Sequence, residues 1–201
     1  MFDAPFRHWI APVLVAPAGA LRRWGITANQ VTVAGFVGGL AAAAAITTGG
    51  PLIGITLWLL SRLCDAIDGA LARQSGGGGD FGGFLDLTLD MLAYSMMVVA
   101  FASLDPVHGT VWLLVLVGYV GCITTTAVLS SILERRGVAV PENDRSLQFT
   151  AGFAEAGEAT IVYLLVAILP TWTGWVATGW VVLLFATVIQ RIAIAGRLLH
   201  D

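Results

Sequence analysis

Four aspartates stand in two short rows: Asp65 and Asp68 are three residues apart, Asp86 and Asp90 four apart. Residues at those spacings share one face of a helix, so each row predicts a single-faced pair of carboxylates. The surrounding chain is apolar, with no charged residue over 24–61, 106–133 or 159–190. Within a bilayer each carboxylate costs roughly 2.5–3.5 kcal/mol, and like charges repel one another besides. Cations or protons must therefore compensate, and only Arg62 and Arg73 lie close in sequence. An all-oxygen cluster suits a hard divalent cation, Mg²⁺ or Mn²⁺. Four carboxylates suffice to bridge two such ions about 3.5–4 Å apart, an arrangement suited to in-line phosphoryl displacement.

The neighbours of the aspartates fit a phosphate ligand. Gly69, Ala72 and Gly82 carry no bulk that would keep a nucleotide from the helix backbones, and Arg73 can fork onto phosphate oxygens. The glycine-rich connection 74–81 allows the two helices to pack antiparallel with the rows opposed. Gly69 and Ala72 read equally well as small helix-packing residues. A carboxylate-lined ion or proton transporter is the rival for the whole cluster, but transport sites favour broken helices near mid-membrane. Here the acids gather at one end, beside a glycine loop and an arginine.

The elements that must hold these rows follow from composition. Of 201 residues, 57% are hydrophobic and 11% charged, against about 25% charged in a soluble domain. The mean hydropathy is +0.85. A spanning helix needs roughly 20 apolar residues, which predicts an all-α integral membrane protein with six transmembrane helices, at about 29–48, 52–73, 82–104, 110–134, 147–169 and 172–197. The chain reads as a single membrane domain over 1–201. All ten basic residues are arginines. With six crossings, those outside the spans fall on one side, which places both termini and the acidic cluster in the cytoplasm. Residues 1–25 contain Pro12 and Pro17 and end on Arg22 and Arg23. They predict an N-terminal amphipathic helix lying at the membrane interface.

The order Asp65-x2-Asp68-Gly69-x2-Ala72-Arg73-x8-Gly82-x3-Asp86-x3-Asp90 resembles the full signature of the CDP-alcohol phosphotransferases, with eight fixed positions matched. Upstream, Gly25-x-Thr27-Ala28-Asn29-x-x-Thr32 is similar to that family's entry to the first span, with Ala28 where proline is usual. That exchange predicts a looser helix start that keeps the polar groups of Thr27 and Asn29. The likeness is strong over 20–105 and elsewhere rests on span count.

The resemblance implies a homodimeric enzyme of phospholipid synthesis, moving a phosphatidyl-type group from a CDP-linked lipid such as CDP-diacylglycerol to an alcohol, with release of CMP; the lysine-free, alanine- and glycine-rich composition points to a bacterial source. Asp65, Asp68, Asp86 and Asp90 would form the metal site for two ions of Mg²⁺ or Mn²⁺, the first three as main ligands, and Asp90 would also act as base on the acceptor hydroxyl. Thr27, Asn29, Gly69, Ala72, Arg73 and Gly82 would line the donor site. Membrane lipids are the expected surroundings, and no nucleic-acid partner is expected. A non-catalytic lipid-binding subunit of the same fold is a third reading.

The acceptor has a weaker imprint. Glu155 and Glu158 share a helix face, and Arg135, Arg136 and Arg145 flank them in sequence. These five are the candidate acceptor contacts; the two glutamates read equally well as partners of the arginines. The body of span four (118–133) contains no cation, which leans the reading to a neutral or amine-bearing acceptor.

Overall fold

Backbone groups in hydrocarbon must bond within their own segment, and every regular element among the described residues is helical. The computed structural model describes residues 3–77, 79–137 and 156–199, with side chains from Pro12 onward. The helices are α1 (Asp3–Arg23), α2 (Ala28–Thr47), α3 (Pro51–Gln74), α4 (Gly79–Leu104), α5 (Gly109–Arg135), α6 (Ala156–Ile168) and α7 (Thr173–Leu199). Short 3₁₀ turns at Pro106–His108 and Pro170–Trp172 precede α5 and α7. The predicted spans fall on α2–α7 within a few residues, except that 147–155 lie outside the described residues.

Among the described residues, four segments are long and apolar enough to cross a membrane: Ala28–Thr47, Gly79–Leu104, Pro106–Arg135 and Pro170–Leu199. The 24-residue α3 has the length but carries Arg62, Asp65, Asp68 and Arg73. The described part of α6 has 13 residues. Side chains such as Val37, Leu60, Val120 and Ile189 are exposed, an apolar surface that suits lipid better than water.

The described residues form two compact units, one ending at Val107 and the other beginning at His108. In the first, Pro51 opens α3 at a position where its missing N–H is no loss. Ala28 stands at the start of α2 without a proline, yet the start is closed by a capping box. Thr27 Oγ1 accepts from the Gln30 amide at 3.3 Å, and Gln30 Oε1 accepts from the Thr27 amide at 2.9 Å. Two orphan donors are thereby satisfied, which offsets the looseness expected of Ala28.

The opposed rows of the sequence reading are present, but α3 and α4 do not pack backbone to backbone. Instead α2 packs on both of them. The reason lies in its small residues. A Cβ on Gly35 would stand 3.1 Å from the Cys64 Cβ of α3, and one on Gly39 would stand 3.2 Å from the Ala93 Cβ of α4. The space between α3 and α4 is left to long and charged side chains. Leu14 and Ala18 of α1 join Val31, Ala70 and Leu71 in a core cluster, while Val13 and Val15 are exposed.

In the second unit α5 and α7 approach closely enough that a Cβ on Gly118 would lie 2.8 Å from Leu184. Tyr119 Oη hydrogen-bonds Tyr163 Oη of α6 at 2.8 Å and accepts from Trp180 Nε1 of α7 at 3.1 Å. Near the end of α7 the buried Arg191 donates from Nη1 to the Cys122 carbonyl at 2.8 Å and to Thr126 Oγ1 at 2.5 Å.

Candidate active site

Asp65 and Asp68 project from α3 and Asp86 and Asp90 from α4. The cross-helix register pairs Arg62 with Asp90 and brings Asp68 to Asp86, so residue numbers rise on one helix as they fall on the other. That is an antiparallel hairpin, reversed through Gly76 (φ +91) and Gly77 (φ +104). Those left-handed angles are adopted at little cost only by glycine, which accounts for the glycine run in the connection.

Asp65, Asp68 and Asp86 each offer a carboxylate oxygen, and these oxygens lie within 4.8 Å of one another. Asp68 is 5% exposed, and its Oδ2 is buried with no hydrogen-bond partner among the described residues. A buried carboxylate oxygen without a donor is costly. Carboxylate oxygens at this spacing, with Asp68 Oδ2 unpartnered among the described residues, fit a hard divalent ion.

Asp90 does not belong to that group of three. Its Oδ1 takes a salt bridge from Arg62 Nη1 at 2.8 Å. Arg62 Nη2 donates to Ser61 Oγ at 3.2 Å, and Ser61 Oγ donates in turn to the Gly35 carbonyl of α2 at 2.7 Å. The Arg62 guanidinium lies 4.5 Å from the Trp58 ring centre and 5.0 Å from that of Tyr94. A cavity of about 10 Å³, walled by Asp65, Asp68, Asp90, Arg62, Ser61 and Thr32 among others, is about the size of one water. In sequence Arg62 counted only as a nearby charge. Its partner stands 28 residues away, a distance that only the hairpin register could have bridged.

The predicted donor residues converge at the neighbouring corner. Thr27, Asn29 and Ala72 line a cleft of about 360 Å³, together with Arg22, Gly25, Ile26, Ala28, Ser75 and Gly77. That volume lies at the low end of small-molecule sites. Gly82 reaches this corner through Asn29: a Cβ there would stand 3.2 Å from Asn29 Oδ1. The Arg73 guanidinium lies over Gly69, 3.5 Å from where a Cβ would be. Arg22 was not singled out in sequence. It donates from Nη1 to the Gln74 carbonyl at 2.6 Å, and Gln74 Nε2 donates to the Val15 carbonyl at 3.0 Å, so α1 is tied to the end of α3 at the rim of the cleft.

Glu155 and Arg145 lie outside the described residues. Glu158 is half-buried in the first turn of α6. Arg135 Nε donates to the Ser131 carbonyl at 3.3 Å and Arg136 Nη2 to the Leu199 carbonyl at 3.2 Å. Both arginines thereby serve helix C-terminal carbonyls, where a cation is favoured.

The family model for CDP-alcohol phosphatidyltransferase matches residues 25–192. The inner membrane protein YnjF of Escherichia coli K12 is 29% identical over 176 residues, covering 86% of this chain and 84% of its own. The phosphatidylinositol phosphate synthase of Mycobacterium tuberculosis H37Rv is 30% identical over 168 residues, covering 82% of this chain and 74% of its own. The solved structure of a Mycobacterium tuberculosis phosphatidylinositol phosphate synthase with manganese and citrate superposes with a TM-score of 0.73 at 23% identity, covering 90% of this chain and 88% of that one. Another crystal structure of that synthase, with CDP-DAG bound, gives 0.71 at 24% identity, covering 92% of this chain and 94% of that one.

Proposed function

We propose, from the premise that the chain belongs to the CDP-alcohol phosphatidyltransferase family, that its aspartate cluster transfers a phosphatidyl group from CDP-diacylglycerol to an alcohol and releases CMP. The observation that carries this reading is the trio of carboxylates within 4.8 Å, set between α3 and α4 beside a cleft of about 360 Å³.

Asp65, Asp68 and Asp86 would hold the divalent metal. When bound, that ion neutralises the donor diphosphate and the charge that develops on departing CMP. The chain supplies the remainder. Thr27, Asn29 and Ala72 line the cleft for the donor head, and the small residues Gly69 and Gly82 leave room for it. Arg73 at the rim offers a planar fork to phosphate oxygens. Asp90, salt-bridged to Arg62 beside the trio, takes the acceptor proton as the hydroxyl oxygen attacks the lipid-side phosphorus. A crystal structure of the similar mycobacterial synthase with CDP-DAG bound supports the donor assignment.

Two observations bear on the acceptor. Arg191 places a buried cation against Thr126 of α5, in the span whose body looked cation-free in sequence. One turn further along α5, Ser130 Oγ is buried with no hydrogen-bond partner among the described residues. Curated relatives of 30% identity are synthases of a phosphatidylinositol phosphate. These favour an acceptor alcohol that bears its own phosphate over the neutral or amine-bearing acceptor that the sequence leaned to.

The rest of the arrangement is read as one membrane domain of six spans, with both termini and the site cytoplasmic. Its supports are the one-sided arginines and the family match, which runs through both compact units. In the same reading α1 lies at the membrane interface and the protein works as a homodimer, as the family resemblance implies. The deciding experiment offers labelled CDP-diacylglycerol and a panel of alcohols and alcohol phosphates to the purified protein in membranes. Metal-dependent CMP release coupled to a new lipid is the expected result. Ion flux without CMP release would establish the transporter reading, and neither activity would leave a lipid-binding subunit.

A further inference from the structure

We propose that α1 is a wall of the donor cleft: Gln74 is a positioning residue that docks α1 on the end of α3, and Arg22, held there, binds the anionic head of the CDP-linked donor. The inference rests on the reading of that cleft as the donor site.

Two adjoining faces of α1 meet α3. Leu14 and Ala18, four residues apart, are buried in one cluster with Ala70 and Leu71. Val15, Gly19 and Arg22 follow at i, i+4 and i+7, a spacing that puts them on one face beside the first. Gln74 Nε2 donates to the Val15 carbonyl at 3.0 Å, and its Oε1 lies 3.7 Å from where a Cβ on Gly19 would stand. The Gln74 side chain thus lies along one turn of α1. In return Arg22 Nη1 donates to the Gln74 carbonyl at 2.6 Å.

The last four carbonyls of a helix lack intrahelical donors. In α3 those of Leu71, Ala72 and Arg73 are answered by the amides of Ser75, Gly76 and Gly77, and that of Gln74 is answered from α1. A cation that served only the helix end could sit on any side of it. Arg22 sits on the side of the cleft, facing Thr27 and Asn29 at the start of α2 and Ala72, Ser75 and Gly77 at the end of α3. A guanidinium carries five N–H donors in a planar fork, so one arm can hold the carbonyl while another meets a phosphate oxygen.

The test uses purified full-length protein in nanodiscs of zwitterionic phosphatidylcholine with saturating Mn²⁺, CDP as the probe, and two readouts: CDP affinity and amide hydrogen exchange over 14–23. In the wild type CDP should slow exchange in that segment, because a ligand that binds better with α1 docked favours the docked state. Arg22→Gln should weaken CDP about fivefold, the upper end for exposed ion pairs, and Arg22→Lys should restore part of the loss. Arg23 is also exposed but is not a wall of the cleft, so Arg23→Gln should change CDP affinity by less than about twofold. Gln74→Ala keeps the carbonyl and removes the tie to Val15. It should speed exchange in α1 and weaken CDP about threefold, within the net worth of a hydrogen bond, with no further loss once Arg22 is Gln. In turnover Arg22→Gln should raise donor KM with kcat unchanged.

CDP bound equally by wild type and Arg22→Gln overturns the proposal. So does a loss shared by Arg23→Gln, or one seen only in nanodiscs of anionic lipid, since either assigns the arginine to the membrane surface. Should Arg22→Gln not fold, Gln74→Ala decides alone, and unchanged CDP affinity there overturns the proposal. Failure of the wild type to bind CDP is a separate outcome: it sinks the donor-site reading itself, and the role of Arg22 with it.

Discussion

The two compact units handle buried polarity in opposite ways. The unit up to Val107 gathers four carboxylates, three of them with oxygens within 4.8 Å, and its Arg62 pairs with the fourth. Asp68 Oδ2 finds no donor among the described residues. The unit from His108 onward carries no carboxylate cluster among the described residues and links its helices through neutral groups, although Ser130 Oγ is buried there with no hydrogen-bond partner among the described residues. Tyr119, Tyr163 and Trp180 bond within α5, α6 and α7, and its buried cation, Arg191, donates to a carbonyl and a hydroxyl. A polar group with an internal partner ties helices together. A buried carboxylate oxygen without one, such as Asp68 Oδ2 among the described residues, is open to a partner from outside. The difference teaches that intramembrane polarity marks chemistry only where the protein leaves it incomplete.

The largest test of that contrast removes a ligand. Asp68→Asn should retain the fold and lower metal-dependent CMP release by about a hundredfold or more. Several kcal/mol of charge stabilisation are at stake, and each 1.4 kcal/mol is about tenfold. Mn²⁺ titration of the same variant should show the matching loss of affinity. Chelation of the wild type should reproduce the effect reversibly. Undiminished activity in Asp68→Asn would falsify the metal assignment.

Asp90→Asn should cost turnover about 10²–10⁴-fold, the usual worth of a general base, with metal and donor still bound. A single-turnover assay with pre-bound CDP-diacylglycerol separates the two properties. Equal losses in donor affinity and turnover would place Asp90 with the trio and erase the distinction between them.

Much of this was legible in sequence because the signature is local. Asp65, Asp68, Asp86 and Asp90 sit within one helical hairpin, and helix periodicity alone gives their faces. Charge-free stretches likewise pointed to α2, α5 and α7, while α3 and α4 carry the charged rows themselves. What escaped notice depended on partners far along the chain. Spacing could not reveal that α2 packs on both α3 and α4, because that follows from where Gly35 and Gly39 meet Cys64 and Ala93. Arg62 meets Asp90 across 28 residues and Arg191 meets Thr126 across 65. In sequence Arg62 read only as a charge close to the aspartates, and Arg191 as one toward the end of the last span. The capping box at Thr27 was missed for a different reason: attention to the absent proline at position 28 obscured the Gln30 that closes the turn.

A smaller effect is expected at the rim of the donor cleft. Arg73 is exposed, so an ion pair with phosphate there is partly screened. Arg73→Ala should raise donor KM by about tenfold, or about 1.4 kcal/mol, just under the roughly 1.5–3 kcal/mol typical of a hydrogen bond to a charged group because the site is screened, with little change in kcat. Steady-state CMP release against donor concentration measures it. An unchanged donor KM would remove Arg73 from the phosphate site.

The smallest effect should come from the other unit, and it tests the contrast most directly. Tyr119→Phe deletes the hydroxyl shared by Tyr163 and Trp180 while keeping the ring that lies edge-on to Trp180 at 6.5 Å. Hydrogen bonds between membrane helices average about 0.6 kcal/mol and reach about 1.7, because the unfolded chain in lipid also finds partners. The variant should therefore unfold slightly earlier in a thermal or denaturant titration in detergent, by no more than that amount. Its Mn²⁺ affinity should match the wild type, since no residue of this network belongs to the carboxylate trio. A shift in Mn²⁺ affinity from a change this conservative would mean that the hydroxyl network helps set the geometry of the trio. The polarity of the second unit would then belong to the chemistry as much as to the packing.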